Sequence, residues 1–481
     1  MNKIIKIILG IVTFFVLALA GLGVGAYFWL KNLTPEKIIN FNLVKNSVSQ
    51  ENQVVLNLLP KVLGYTKPMN YLILFANNTE LRPGGGFIGA YGVIKLDQGK
   101  MEILKVDGTE NLDRYTPEEF KLAPPVPLKD NLKVDRWYFR DSNWSPDFAE
   151  SAKKSLELYI GENGVAAKDI DAVIAFTPTV LEKILETIGP VTVQGIEFNA
   201  KNVTEKLEYE VEYGYDDKGI AVHERKQIIQ PLFLAILNKL KNNLFFNLET
   251  YFSLGKNLLV EKQVMAYALD PELEKIITDW QGDGRVKETI GDYLLWVDAN
   301  LAALKTDYAI KRNLTYTIKK QTDGRFLATA QMEYKHIGKF DWRTTRYRTY
   351  TRIFVPLGVE LLKIDGSMNR DKSKTPGAID QGQELNKQWF GTFISIEPGT
   401  TKTLSFSYYL PENIVQNNYS LLVQKQLGTI DSGLTLSLDF GKNIVSARPA
   451  EIESKWLDSK YEYNTELKLD KTFNIQLSDS K

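Results

Sequence analysis

Three short stretches carry residue types that could do chemistry. The first is NNTELRPGGGFIGAYG, residues 77–92, between two apolar runs. Arg82-Pro83-Gly84-Gly85-Gly86 sets a fixed φ ahead of residues free to take φ > 0. Successive amides in such a turn converge on an anion, and Arg82 adds a forked, permanently charged donor suited to phosphate. The plainer reading is a wide bend whose glycines only permit tight packing. No Gly-Lys-Ser/Thr follows, so it is not a Walker A loop. The second stretch is WYFRDSNWSPD, residues 137–147. Arg140 lies just upstream of an expected helix N-terminus, with Asp141 as a base or metal ligand and Trp137 and Trp144 as stacking faces for sugar rings. The plainer reading is a loop pinned by aromatic packing and an Arg140–Asp141 pair. The third is Asp216-Asp217-Lys218-Gly219 followed by His223-Glu224-Arg225-Lys226-Gln227. Arg225 and Gln227 head a long expected helix, an end that favours anions, and Asp217 is a second base or metal ligand. Read alone, this is a solvated helix start.

Composition closes off other chemistry. The chain has 481 residues and no cysteine, which removes thiol catalysis, disulfides and thiolate metal sites. Its two histidines, His223 and His336, sit in contexts unlike a catalytic triad and read as structural or surface residues. Lys+Arg and Asp+Glu are both 59, so no net charge draws the chain to nucleic acid. No cofactor is called for; Mg²⁺ is compatible with a phosphate site.

The positioning elements follow from patterning. Residues 1–6 read as a short cytoplasmic end and 7–30 as a transmembrane helix, since Ile7 to Leu30 is uncharged and spans about 36 Å as a helix. That run is longer than the apolar core of a cleaved signal peptide, which favours an uncleaved anchor. Lys3 and Lys6 place the N-terminus inside and the body outside the cytoplasm, a contrast weakened by Lys31 and Lys37. Residues 31–64 read as a juxtamembrane helix or linker. Residues 65–308 alternate strands and helices and read as an α/β domain with a mixed sheet. Within it, Ser145-Pro146 is the expected start of one helix, Thr177-Pro178 of another, and a helix over 224–243 should kink at Pro231. Residues 310–445 hold seven short strand patterns and read as an all-β sandwich. Residues 446–481 read as a polar tail or edge strand.

Four ordered motifs, NYLILFANNTELRPGGGFIGAYG, WYFRDSNWSPDF, DIDAVIAFTPTVLEKILETIGPVTV and DYLLWVDANLAALKTD, resemble the bacterial "domain of unknown function 4012" family over about residues 65–310. YRTYTRIFVPLGVELL is similar to that family's C-terminal half. That family name implies no activity. More distantly, DAVIAFTPTVLEKILETIGPVTV, and Asp216-Asp217 followed by Arg225-Lys226-Gln227, are similar to the LytR-CpsA-Psr phosphotransferases. Those are anchored enzymes that move glycopolymers from polyprenyl-pyrophosphate carriers to the cell wall. The resemblance implies pyrophosphate binding by Arg225 with support from Gln227. The chain departs from that pattern where those enzymes carry an Arg-Asp pair after the third strand; here VDGTENLDRY follows.

Two functions are therefore expected alternatives. One is transfer of a lipid-linked glycan, with Arg82, Gly84, Gly85, Gly86, Arg140, Arg225 and Gln227 on phosphate and Asp141 or Asp217 as base. The other is a non-catalytic envelope module that binds a glycan or lipid headgroup. Convergence of Arg82, Arg140 and Arg225 on one pocket would favour the first, and their separation the second.

Overall fold

The computed structural model describes residues 60–243, 248–451 and 458–478. The expected cytoplasmic end, membrane span and nearly all of the juxtamembrane stretch lie outside them. Among the described residues no helix is long and apolar enough to cross a membrane. The chain divides into two compact units. The first holds its described residues up to Asn77, then Gly85–Ala123 and Arg136–Gly284. The second holds Asn78–Gly84, Pro124–Asp135 and Arg285–Lys481.

The first unit is built on a five-stranded mixed sheet. Its strands are β1 (Met69–Asn77), β2 (Phe87–Asp97), β3 (Lys100–Gly108), β4 (Ile170–Phe176) and β7 (Val264–Ala268), in the order β3-β2-β1-β4-β7. Only β1 and β4 run parallel. β1 reads LILFA without alternation because both of its faces are covered: Tyr71 through Leu74 are all buried. A two-residue Gln194-Gly195 turn joins the hairpin β5 (Val191–Val193) and β6 (Ile196–Phe198), with both residues at positive φ.

The helices of this unit are α1 (Thr109–Arg114), α3 (Phe148–Gly161), α4 (Pro178–Ile188), α5 (Val203–Tyr209), α6 (Ile229–Asn243), α7 (Leu248–Val260) and α8 (Pro271–Asp279); α2 (Val126–Leu132) belongs to the second unit. α4 starts as its sequence dictates, with Thr177 at the N-cap, Pro178 at the first position and Gly189 closing it at φ 78°. Two starts differ from expectation. α3 is capped by Asp147, whose carboxylate accepts the Glu150 N–H, so Ser145 and Pro146 lie outside it. α6 begins at Ile229, not Glu224. Pro231 therefore falls in its first turn, where a missing N–H costs nothing and no kink is required. The long segment 107–145 contains α1, α2 and a single turn over Phe139–Asp141.

The second unit is β-rich. It contains β8 (Asp292–Asn300), β9 (Ile310–Lys320), β10 (Phe326–His336), β11 (Tyr347–Val355), β12 (Glu360–Asp365), β13 (Asp380–Glu384), β14 (Lys387–Ile396), β15 (Thr401–Tyr409), β16 (Asn418–Gln424), β17 (Gly433–Asp439), β18 (Asn443–Arg448), β19 (Lys460–Glu466) and β20 (Lys471–Ser478). They form a six-stranded sheet, β12-β15-β10-β9-β17-β19, and a seven-stranded sheet, β13-β14-β11-β8-β16-β20-β18. Alternate residues of both sheets meet in one core, with Leu314, Tyr316 and Ile318 from β9 and Ile353, Phe390 and Ile394 from β11 and β14. The segment YLLWVDANL, expected in the α/β part, pairs with β11 and β16 here. Of the C-terminal segment, β19 is an edge strand but β20 lies inside its sheet, between β16 and β18.

Candidate functional site

In the first unit, α1 gathers charge from distant parts of the chain. Thr109 fastens its start by donating to the Ile88 carbonyl at 2.8 Å. Asn111 donates to Asp107 at 2.6 Å and to the His223 carbonyl at 2.8 Å. Glu110 and Asp113, one turn apart on α1, then engage two separate groups of cations.

Glu110 accepts from Arg225 Nε at 3.0 Å and from Lys226 Nζ. Arg225 also reaches Glu212 at 3.2 Å, and Lys226 donates to the Gly89 carbonyl. Burial acts to raise the Glu110 carboxyl, but Lys226 and Arg225 outweigh it and hold the group low. Arg225, Lys226 and Gln227 occupy the turn ahead of α6, and Gln227 is exposed. The next residues, Ile229, Gln230 and Phe233, line a shallow, open apolar recess with Ile73, Phe75, Gly92, Ile94, Ile103 and Val106. Gly89 and Gly92 lie on the same strand, about 10 Å apart along β2.

Asp113 accepts from Arg140 Nη1 at 3.1 Å, and Arg140 Nε lies 3.7 Å from Asp141. The Arg140 guanidinium also stacks 4.4 Å from the Tyr138 ring centre. Behind it sits Glu162, the residue after α3, whose Oε1 accepts the Phe139 N–H at 3.0 Å. Asp113 Oδ1 and Glu162 Oε2 are buried and have no hydrogen-bond partner. The two acids lie close enough for the charge on one to oppose ionisation of the other. Burial raises both, the mutual charge raises Glu162 further, and Arg140 opposes the rise in each. Tyr91, Phe139 and Tyr159 wall off this pair, with ring centres 5.4–5.6 Å apart.

The expected site residues are thus distributed. Arg140, Asp141 and Arg225 belong to the region around α1, but the two arginines engage different acids. Asp217 is exposed on the short turn Tyr215–Asp217, apart from these pairs. Trp137 donates from Nε1 to the Asp141 carbonyl at 2.8 Å and carries Lys154 over its ring at 4.8 Å; Trp144 is half-buried. The α3 N-terminus is closed by Asp147 and Phe148 is fully buried, so no open anion site lies there. Arg82 belongs to the second unit and is 2% exposed. It donates to the Asn300 carbonyl and pairs with Glu80 at 3.5 Å. Gly84, Gly85 and Gly86 are buried; Gly84 bridges to Leu427, and Gly85 has φ 119°. This bend is buried, with Arg82 engaged by the Asn300 carbonyl and Glu80. The sequence reading missed Glu110, Asp113, Glu162, Glu212 and Lys226. Lys226 stood within the third stretch and Glu110 and Asp113 within VDGTENLDRY, but nothing local marked them until the fold joined them to Arg225, Arg140 and Glu162. Among the described residues no group of three His, Cys, Asp or Glu is placed to hold a metal ion. The α1 acids are already matched by Arg140, Arg225 and Lys226, so they do not fit Mg²⁺ without displacement.

No curated protein matches the chain. Among solved structures it is similar to a putative nutrient binding protein from Legionella pneumophila subsp. pneumophila str. Philadelphia 1. That match has 10% identity, covers 39% of this chain and 72% of that one, and has a TM-score of 0.26. A Listeria innocua protein matches at 11% identity over 45% of this chain and 79% of that one, with a TM-score of 0.24. An M1 zinc metallopeptidase from Deinococcus radiodurans matches at 8% over 37% and 43%, with a TM-score of 0.17. These likenesses are too slight to carry an argument, and they lend no support to the LytR-CpsA-Psr resemblance. Residues 66–212 match the model of the family described as "Protein of unknown function (DUF4012)", which bears out the resemblance read from the strand, bend and helix motifs of that segment.

Proposed function

We propose that this is a membrane-anchored, extracytoplasmic envelope protein whose α/β unit binds the phosphate-bearing head and apolar stem of a lipid-linked glycan without transforming it. The β-rich unit is then a sandwich that serves as a docking module. The observation that carries the reading is the order along one segment. Arg225 and Lys226 end a turn, and the helix that follows lines an apolar recess through Ile229 and Phe233. An amphiphile with an anionic head would take Arg225 and Lys226 over from Glu110 and Glu212 and lay its stem in the apolar slot beside them. The separate engagement of Arg82, Arg140 and Arg225 favours binding over phosphoryl transfer, which needs its cations on one phosphate group. A transfer reading keeps one specific support: the buried, coupled Asp113–Glu162 pair beside Arg140, whose raised carboxyls suit a general base.

The test is titration of the full chain in detergent with polyprenyl pyrophosphate, polyprenyl phosphate and the free prenyl alcohol, with and without Mg²⁺. Saturable binding of the phosphates but not the alcohol is expected, with loss in both Arg225→Ala and Phe233→Glu. Equal binding by wild type and Arg225→Ala would overturn the assignment. With a polyprenyl-pyrophosphate-linked glycan and a sugar acceptor in place of the bare lipids, movement of the glycan to the acceptor hydroxyl with release of polyprenyl phosphate would replace binding with transfer.

A further inference from the structure

In the first unit, helix α5 runs without a break into a widened turn. Residues Glu210–Gly214 are π-helical, and Tyr209 and Tyr215 on either side keep helical φ and ψ. Such a turn is rare inside helices and recurs at functional sites. Here it carries a pair of rings. Tyr209 and Tyr213, four residues apart, stand on one face, with ring centres 6.0 Å apart and planes 31° from parallel. Tyr209 is 41% exposed and Tyr213 47%.

Glu212 lies on the same turn and accepts from Arg225 Nη1 at 3.2 Å. The rings therefore stand next to the cation assigned to a phosphate above. The other acid of the turn, Glu210, is engaged by Lys218. A phosphate that takes Arg225 from Glu212 turns that carboxylate into an acceptor beside two phenol rings. Ring faces suit the C–H side of a pyranose, and phenol hydroxyls both donate and accept. With a carboxylate to receive sugar hydroxyls, the set matches a sugar joined to the phosphate. An anionic bilayer fits poorly against the same helix, because Glu205, Glu210 and Glu212 bring like charge to it.

We propose that Tyr209 and Tyr213 form a sugar subsite that reads the first sugar attached to the phosphate held by Arg225, with Glu212 accepting from its hydroxyls. This inference rests on the phosphate assignment above and names the part of the ligand that gives that site its specificity.

The test is binding, by the full chain in detergent, of polyprenyl pyrophosphate with and without one N-acetylglucosamine on its terminal phosphate. Wild type should hold the sugar-bearing lipid about tenfold more tightly than the bare one. Tyr209→Ser with Tyr213→Ser should abolish that preference. Tyr209→Phe with Tyr213→Phe, which keeps the rings, should retain most of it. Equal affinity of wild type for the two lipids, or a preference that survives both serines, overturns the proposal. Failure of the bare lipid to bind refutes the phosphate assignment instead. The subsite is then judged with N-acetylglucosamine 1-phosphate against inorganic phosphate, neither of which needs the apolar recess; tighter binding of the sugar phosphate upholds it, and equal binding or none overturns it.

Discussion

Two regions of the molecule use arginine and carboxylate in opposite ways. In the β-rich unit, Arg312 lies between Asp298 and Asp307, and all three side chains are at most 9% exposed. Every carboxylate oxygen there is engaged. Asp298 accepts from Arg312, Tyr334 and Thr351; Asp307 accepts from Arg312, Tyr347, Asn300 and the Leu81 N–H. Around α1 the cations stay reachable, with Arg140 30% and Arg225 23% exposed, and the charge on one buried acid opposes ionisation of its neighbour. A saturated, closed network has nothing left to offer a ligand and acts as architecture. A network with reachable cations and a coupled acid pair can exchange partners. That difference, more than the number of charges, places the candidate site at α1.

The comparison breaks most severely at Arg312. Arg312→Met leaves two buried acids without their cation and should cost about 3–5 kcal/mol, read as a lower denaturant midpoint. A change under about 1 kcal/mol would show that the network is not the closed frame described. Next in size is Arg82→Ala, which frees the Asn300 carbonyl and Glu80 and should cost about 1–3 kcal/mol without altering ligand binding.

Glu162 sharpens the other side. Its carboxyl is raised on folding by burial and by Asp113, so the folded state holds a proton that the unfolded chain has lost. That contribution is complete below the unfolded value of about 4.3 and falls away as pH rises toward the elevated folded value. Wild-type stability should therefore decline with rising pH above that point. Glu162→Gln, which has no carboxyl to titrate, should show a flatter profile in pH-dependent denaturation; parallel profiles would remove the raised carboxyl. The smallest effect belongs to the exposed Lys153–Glu150 pair on α3, where Lys153→Ala should shift stability by about 0.5 kcal/mol or less.

Legibility in the sequence followed the range of the interactions. Thr177-Pro178 and Gly189 bracket α4 because caps act within a few residues. At α3 the same local logic offered Ser145-Pro146, but Asp147 is the residue whose carboxylate reaches the amide of Glu150. Seven strand patterns of residues 314–439 were plain because alternation reports one buried face, while β12 and β13, which bury no apolar face, were not. The partner of YLLWVDANL was not, since pairing with β11 and β16 is long-range. The site suffered most from this limit. Arg225 turns back to Glu110 and Asp113 comes beside Glu162, contacts between residues far apart in the chain. Arg82 and its glycines looked like a phosphate cradle because a buried brace and an open nest share one composition.

The most direct test of the central claim is binding of polyprenyl pyrophosphate by the full chain, compared between wild type, Arg225→Ala and Arg82→Ala. The account predicts loss in Arg225→Ala, which remains folded because its ion pairs are partly exposed, and retained binding in folded Arg82→Ala. Loss in Arg82→Ala with retention in Arg225→Ala would contradict it and return the phosphate site to the glycine bend.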